Sequence, residues 1–288
     1  MTLQDKTHLV SKPTGHLPAG SRRWPLLALA SAALLLMIFY AVIDGAHVDH
    51  DPLLTAGDWA GYALCHRITD RSFTIDGRQF PLCARCTGMY LGAGLTAVAL
   101  FLAGRKRRVL LPQKAIFLAL LGLIAIMGVD GLNSYSHFFP SAPHLYEPRN
   151  ALRLATGMGA GLTLGIITFA ALAQALWRPP VYRPLLENWR EFGALLALGS
   201  TGVLAVLSNQ AALLYVLAVA SSAGLLFVVT ALNSALLLVA LRSDGQSTTW
   251  KEAARPLLAG FLLAILELSA VSALRWSVTG TMAGFPGL

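Results

Sequence analysis

Charged residues are scarce in this sequence, and their scarcity indicates the class of protein. Asp, Glu, Lys and Arg make up 12% of the 288 residues, whereas hydrophobic residues make up 56%. Soluble globular domains average about 25% charged residues, so this composition excludes an ordinary soluble domain. Seven apolar runs recur along the chain, and about 20 such residues cross a bilayer as a helix. The sequence therefore predicts an all-α membrane protein, a bundle of about seven transmembrane helices.

The chain also lacks a nucleotide-phosphate loop, an internal repeat and a separate soluble domain. Its net charge of +8 could indicate a nucleic-acid partner, but most Lys and Arg residues lie in short loops between apolar runs. That distribution is typical of a topology signal rather than of a nucleic-acid surface. We therefore expect the lipid bilayer as a partner and no nucleic acid, and the sequence leaves protein partners open.

The apolar runs divide the chain into a tail and three further regions. We predict a basic disordered cytoplasmic tail at 1–24, a first span with its linker at 25–57, a core at 58–165 that holds a Cys/His loop and spans two to four, and a remainder at 166–288. The seven predicted spans are Pro25–Ile43, Thr87–Ala103, Ala115–Gly131, Asn150–Trp177, Phe192–Leu207, a segment within Ala211–Leu241, and Pro256–Leu274.

Glycines four residues apart mark two of these spans. Gly88 and Gly92 lie in span two, and Gly157 and Gly161 lie in span four. Small residues at this spacing let helices approach closely in lipid. We therefore expect spans two to four to form a tight core, with spans five to seven as plainer scaffold.

The positions of Lys and Arg predict the orientation. If the N-terminus is cytoplasmic, the cytoplasmic tail and loops hold 15 of these residues and the opposite side holds 7. By the positive-inside rule, we expect an inner (plasma) membrane protein with a cytoplasmic N-terminus. The Cys/His loop and the C-terminus would then be extracytoplasmic.

Cysteine is rare, and all three cysteines of the chain lie between positions 65 and 86. They form the pattern Cys65-His66, then Cys83 and Cys86 as a CxxC pair. Between them, Asp76-Gly77 is flanked by apolar residues and predicts a β-hairpin. Such a hairpin would bring the first cysteine back toward the pair, so we expect one site.

Two kinds of chemistry fit this site. Three thiolates and an imidazole, Cys65, His66, Cys83 and Cys86, suit zinc, since a CxxC pair lets both sulfurs reach one tetrahedral ion. Neighbouring side chains diverge in an extended chain, so another histidine could replace His66, and the candidates are His47, His50, His137 and His144.

Alternatively, Cys83 and Cys86 could exchange disulfides, because a CxxC pair at a helix N-terminus has a stabilised thiolate. The layout is similar to quinone-linked disulfide-forming enzymes and to vitamin K epoxide reductases, which bring a second cysteine pair that is absent here. A structural disulfide with one spare thiol is the plainer alternative.

Ionisable residues near the predicted span ends form a second candidate group. Asp130, Arg149 and Arg153 would lie at the same outer level as the cysteines, and charges at membrane depth are functional or paired. They are candidate catalytic or anion-binding residues, or a buried ion pair that fixes helix register. Glu267, midway along span seven, could couple protons in a transporter or be hydrogen bonded internally.

Several motifs together resemble a known family. They are Cys65-His66, Arg71-Ser72-Phe73, Pro-x-Cys-x-Arg-Cys-Thr-Gly from Pro81, Asp130-Gly131, and Asn-x-x-Arg-x-x-Thr-Gly from Asn150. The pattern is similar to an uncharacterised family of prokaryotic multi-pass membrane proteins, catalogued as a domain of unknown function. The resemblance covers about residues 58–165 and implies no particular activity.

Three functional classes therefore stay open. The first is a metal-stabilised membrane enzyme that acts on a lipid-borne or periplasmic substrate. The second is a quinone-linked thiol oxidoreductase, and the third is a transporter or accessory membrane protein. Whether the chain is an enzyme is not decided by its sequence.

Overall fold

The computed structural model describes residues 51–139 and 143–282, and within them the chain is mostly helical. Six of its helices are long and apolar enough to cross a membrane, which confirms the prediction of an all-α membrane protein. The tail at 1–24 and the predicted first span lie outside the described residues. The helices are α1 (Pro52–Leu64), α2 (Ala84–Leu102), α3 (Lys114–Ser136), α4 (Asn150–Leu176), α5 (Trp189–Leu207), α6 (Ala211–Ala240) and α7 (Trp250–Thr279). Predicted spans two to seven correspond to α2 to α7.

Helices α2 and α4 form the closest helix pair, and glycine makes their contact possible. A Cβ atom added to Gly92 would lie 2.7 Å from the carbonyl oxygen of Met158, and one added to Gly161 would lie 2.7 Å from the carbonyl carbon of Met89. Both positions are too close for any larger residue. Gly88 and Gly157 meet the opposite backbone in the same way, so the predicted glycine contacts are confirmed.

The third member of the core is α6, and here the sequence-based expectation is wrong. A Cβ atom on Gly224 of α6 would lie 2.8 Å from the carbonyl carbon of Tyr90 in α2. By contrast, α3 packs mainly against α4. Only 17% of the membrane-spanning stretch of α3 is buried, whereas 67% of that of α4 is buried. The core therefore consists of α2, α4 and α6, and α3 lies at its edge.

A short helix and a hairpin precede α2. Asp51 caps α1 by accepting the backbone N–H groups of Leu53 and Leu54, each at 3.0 Å. Strands β1 (Ser72–Ile75) and β2 (Arg78–Cys83) pair antiparallel. Their turn is Asp76-Gly77, both with positive φ, as a tight hairpin turn requires. The predicted hairpin is confirmed, whereas α1 was not predicted. We call this end of the bundle the cysteine end.

The opposite end, the basic-loop end, is held by pairing between two loops. Strand β3 (Arg108–Leu110), after α2, pairs in parallel with β4 (Val181–Pro184), after α4. Arg105 forms two hydrogen bonds of 2.6 Å with the carboxylate of Glu191. Arg105, a basic residue between α2 and α3, thus also binds the first turn of α5.

Candidate functional site

The three cysteines lie where α1, the hairpin and α2 meet at the cysteine end. Cys65 directly follows α1, Cys83 is the last residue of β2, and Cys86 lies in the first turn of α2. The hairpin brings them together by pairing Ser72 with Cys83. The backbone N–H of Cys83 donates a hydrogen bond of 3.2 Å to the sulfur of Cys65.

Their side chains form one cluster with a histidine, which we call the Cys/His cluster (Cys65, His66, Cys83 and Cys86). The ligand atoms of Cys65, His66 and Cys83 all lie within 4.8 Å of one another. The thiol of Cys86 lies close enough to the thiols of Cys65 and Cys83 to interact with both. Sulfurs bound to one tetrahedral zinc ion lie about 3.8 Å apart. Cys65, His66 and Cys83 therefore need only a small contraction to hold one metal ion, and all three cysteines of the cluster are free thiols.

The segment between Cys65 and the hairpin is held by charged groups. Arg275 of α7 donates hydrogen bonds to the carbonyl oxygens of Cys65 (2.6 Å) and His66 (3.2 Å). The next residue, Arg67, has a positive φ of 51° and forms a 2.8 Å ion pair with Asp58 of α1. Because Arg67 is buried, this pair fixes the direction in which the chain turns after the cluster.

The histidine would have to give up one hydrogen bond to bind a metal. Nδ1 of His66 accepts the backbone N–H of Ile68 at 3.1 Å. A metal at Nδ1 would replace that bond, and a metal at Nε2 would require the proton to move to Nδ1. A hydrogen bond of this kind contributes about 1 kcal/mol, whereas zinc binding to such sites is worth about 10–16 kcal/mol. The loss is therefore small.

The thiols differ in acidity because they share hydrogen bonds. Donation from the thiols of Cys83 and Cys86 holds the pKa of Cys65 well below its usual range. The same contact with Cys65 raises the pKa of Cys83 to about 12. Burial lowers the pKa of His66, which leaves a neutral imidazole at neutral pH. A metal would displace thiol protons, so its affinity should increase with pH.

The other described histidines, His137 and His144, do not join the cluster. The rings of His137 and His144 stack on each other with centroids 3.8 Å apart. Nε2 of His137 lies 3.8 Å from a carboxylate oxygen of Glu147. Among the described residues, the group of Cys65, His66 and Cys83 is the one set of His, Cys and acidic side chains with metal-ligand spacing. His47 and His50 lie outside the described residues.

A polar layer lies beside the cluster and centres on Asp130 of α3. Asp130 is 1% exposed and forms an ion pair with Arg85 of α2. Its other carboxylate oxygen accepts the hydroxyl of Tyr146 at 2.8 Å, and Arg85 also donates to the hydroxyl of Ser134 at 3.1 Å. Asn133 donates to the carbonyl oxygen of Tyr146 at 2.8 Å, which ties the connector before α4 to this layer.

Arg149 and Arg153, which the sequence places in this layer together, differ in burial. Arg153 is buried, with 7% of its side chain exposed, and donates a 2.9 Å hydrogen bond to Asn150. Arg149 is exposed. The reason is that α4 begins at Asn150, so Arg149 has extended backbone geometry and does not share the helical face of Arg153. The partner of Asp130 is Arg85 rather than either of them.

The intramembrane acid predicted at position 267 has an internal partner. Asn233 of α6 donates a 2.8 Å hydrogen bond to the carboxylate of Glu267 on α7. Of the two alternatives for Glu267, proton coupling and internal hydrogen bonding, this contact matches internal hydrogen bonding.

Sequence reasoning missed three residues of this region. Arg71 lies near the cluster, and its presence in the Arg-Ser-Phe motif could have drawn attention to it. Tyr146 belongs to a proline-rich connector without a periodic apolar pattern. Arg275 has no other charged residue near it in the sequence of the last turns of α7. Neither position carries a sequence signal, because their contacts depend on the tertiary fold.

Comparison with known proteins identifies the family. A family model described as predicted membrane protein (DUF2085) matches residues 65–167, from Cys65 into α4. An uncharacterized protein of Methanothermobacter thermautotrophicus is 35% identical over 105 residues, which cover 36% of this chain and 84% of that protein. The chain belongs to this family. An uncharacterized protein of Methanocaldococcus jannaschii is 33% identical over 107 residues, covering 37% of this chain and 62% of that protein.

No solved structure matches the chain. The family match contains the Cys/His cluster, Asp130 and Arg153, and it ends before α5. The shared region is thus the cysteine segment together with α2, α3 and most of α4, which agrees with the resemblance drawn from the sequence motifs.

Proposed function

We propose that this chain is a multi-pass inner-membrane protein whose Cys/His cluster holds a zinc ion and supports a polar layer that acts on a lipid-borne or periplasmic substrate. The observation that carries the proposal is the convergence of the ligand atoms of Cys65, His66 and Cys83, all within 4.8 Å of one another. Cys86, whose thiol lies close enough to interact with both other thiols, would supply the fourth ligand.

The zinc in this proposal is structural rather than catalytic. Three thiolates and one imidazole fill the four positions of a tetrahedral ion and leave none open for a substrate. Cys65 and Cys83 are each 2% exposed, which fits a closed site. Zinc would join α1, the hairpin and α2 at one point, and so stabilise the cysteine end of the bundle.

The residues that contact the substrate are then those of the polar layer. Asp130 and Arg85 form a buried ion pair with the hydroxyl of Tyr146 bound to it, and Arg153 lies beside them. Charges kept at membrane depth are costly and favour a functional role. The excess of Lys and Arg at the basic-loop end supports an extracytoplasmic position for this layer.

Metal content across a set of variants tests the proposal. We expect wild-type protein, purified in detergent without chelator, to contain about one zinc per chain. Cys65→Ser, Cys83→Ser and Cys86→Ser should each lose it, and His66→Ala should bind it more weakly, because metal binding and local folding are one equilibrium. His144→Ala, which changes a histidine outside the cluster, is the matched control and should keep its zinc.

Thiol–disulfide exchange is the second candidate, and the hydrogen-bonded free thiols favour it. In that reaction Cys83 and Cys86 would form a disulfide and pass two electrons and two protons to a membrane quinone. Wild-type protein without zinc but with a Cys83–Cys86 disulfide would reject the zinc proposal and support this one. Cys65→Ser should then leave the exchange largely intact.

A further inference from the structure

Three arginine side chains converge beside the Cys/His cluster, although they belong to separate segments. Arg71 lies in the turn before β1, Arg85 in the first turn of α2, and Arg153 in the first turns of α4. Arg71 and Arg85 both donate to Ser134, the first to its carbonyl oxygen (3.4 Å) and the second to its hydroxyl (3.1 Å). Arg153 is close enough to both for their charges to repel.

The backbone fixes this convergence. A Cβ atom on Gly157 would lie 3.0 Å from the carbonyl carbon of Arg85, so the backbone of Arg85 rests on α4 one turn from Arg153. Asn150 accepts the hydrogen bond from Arg153 and donates one of 3.1 Å to the carbonyl oxygen of Asp70. Because Asp70 precedes Arg71, the three arginines are held at one level.

The nearby acidic groups neutralise only one of these three cations. Asp130 is ion paired with Arg85. Within residues 51–139 and 143–282, neither Arg71 nor Arg153 lies within salt-bridge distance of a carboxylate. Asp70 is exposed and attracts Arg71 only from a greater distance. Two positive charges therefore remain in excess.

Of the three arginines, Arg153 is the one whose charge and hydrogen-bonding groups are least satisfied by the protein. Its side chain is 7% exposed, and its Nε atom is buried without a hydrogen-bond acceptor. Arg71, Arg85, Asp130 and Cys83 all lie close enough to Arg153 to interact with its charge. A buried cation among other cations is costly unless an anion joins it, so this arrangement is suited to receiving one.

We propose that Arg71, Arg85 and Arg153 bind a phosphate group beside the Cys/His cluster. Guanidinium groups match phosphate oxygens with paired hydrogen bonds. A phosphate group carries one or two negative charges at neutral pH. Those negative charges match the two positive charges that the three arginines have in excess over Asp130. If three thiolates hold a zinc ion, that centre carries one negative charge, and the excess is then one positive charge.

This inference names the substrate class of the polar layer, and its functional meaning rests on the function proposed above. Binding itself requires only the arginines, so it is measured separately from zinc. The site lies at the ends of membrane helices, where the phosphate could belong to a lipid headgroup or be free. Both sources share the same chemistry, and two probes separate them.

The test measures binding of inorganic phosphate and of dihexanoyl phosphatidic acid to detergent-purified, full-length protein by calorimetry and thermal shift. We expect wild-type protein to bind at least one probe and to be stabilised by it. Arg153→Gln and Arg71→Gln should each weaken binding at least about tenfold, because charge-assisted hydrogen bonds are lost. Arg149→Gln, an exposed arginine four residues from Arg153, is the matched control and should change binding less than about twofold.

Binding of inorganic phosphate would assign the site to a free phosphate group, and binding of phosphatidic acid alone would assign it to a lipid headgroup. The proposal is overturned if wild-type protein binds neither probe, or if Arg149→Gln weakens binding as much as the other variants. Arg71→Gln changes a loop residue, so the test does not depend on correct folding of Arg153→Gln.

Zinc is measured on the same samples to separate the two proposals. Protein that keeps zinc but binds no phosphate contradicts this inference alone. Protein that binds phosphate without zinc contradicts the metal proposal alone.

Discussion

Gly161→Ala tests the contact between α2 and α4 with the smallest change available. The added Cβ atom would lie 2.7 Å from the carbonyl carbon of Met89, whereas non-bonded carbon atoms prefer about 3.5–4.0 Å. Since the obstacle is backbone, it cannot rotate away. The two helices must separate by roughly 1 Å, which weakens the neighbouring contacts along the same line.

The expected magnitude follows from two opposing terms. Overpacking of a well-packed contact costs about 1–3 kcal/mol, and alanine returns up to about 1 kcal/mol through its higher helix propensity. With the full propensity gain subtracted, the net loss is about 0–2 kcal/mol, and it is about 1–3 kcal/mol relative to a glycine-to-alanine control without the overpacking. Gly122→Ala in α3 is the matched control, because a Cβ atom there meets nothing within 4 Å. It should be neutral or slightly stabilising.

Thermal unfolding in detergent, followed by fluorescence-detected gel filtration, measures the difference. A loss of 1 kcal/mol corresponds to about 2–4 °C in a protein of this size, so Gly161→Ala should melt several degrees below Gly122→Ala. Gly161→Leu should also reduce folded yield more than Gly199→Leu, where the added atom meets only the side chains of Leu162 and Met158. Equal melting temperatures for the two alanine variants would refute the close backbone contact.

Two other predictions concern the polar layer and the orientation. Asp130→Asn should destabilise the protein by about 3 kcal/mol, because it leaves the partly buried Arg85 without its counter-charge. Exposed Asp70→Asn should change the melting temperature little, and similar shifts in both variants would argue against the ion pair. Reporter fusions after Arg108 and Arg183 should report a cytoplasmic location and those within 44–58 an extracytoplasmic one, because of the 15 to 7 distribution of Lys and Arg. A cytoplasmic cysteine segment would contradict this orientation.

Features encoded by local sequence were predictable. Six spans followed from the lengths of apolar runs, and the hairpin followed from Asp76-Gly77 between apolar residues. The glycine spacing in α2 and α4 identified their contact, because small residues are needed wherever backbones touch. These signals depend on residues close together in the chain.

Features that depend on distant contacts were not predictable. Helix α1 lies in a polar interval, and it packs through Gly61 against Pro81 of β2. The pairing of β3 with β4 joins loops more than 70 residues apart. The positions of Arg149 and Arg153 differ because α4 begins between them, at a boundary that charge spacing alone does not reveal.

X-ray absorption at the zinc edge of wild-type protein, purified without chelator, tests the central claim most directly. The proposed site predicts about one zinc per chain, bound by three sulfurs at about 2.3 Å and one nitrogen at about 2.0–2.1 Å. Absence of zinc, or a zinc shell of oxygen and nitrogen without sulfur, would contradict it.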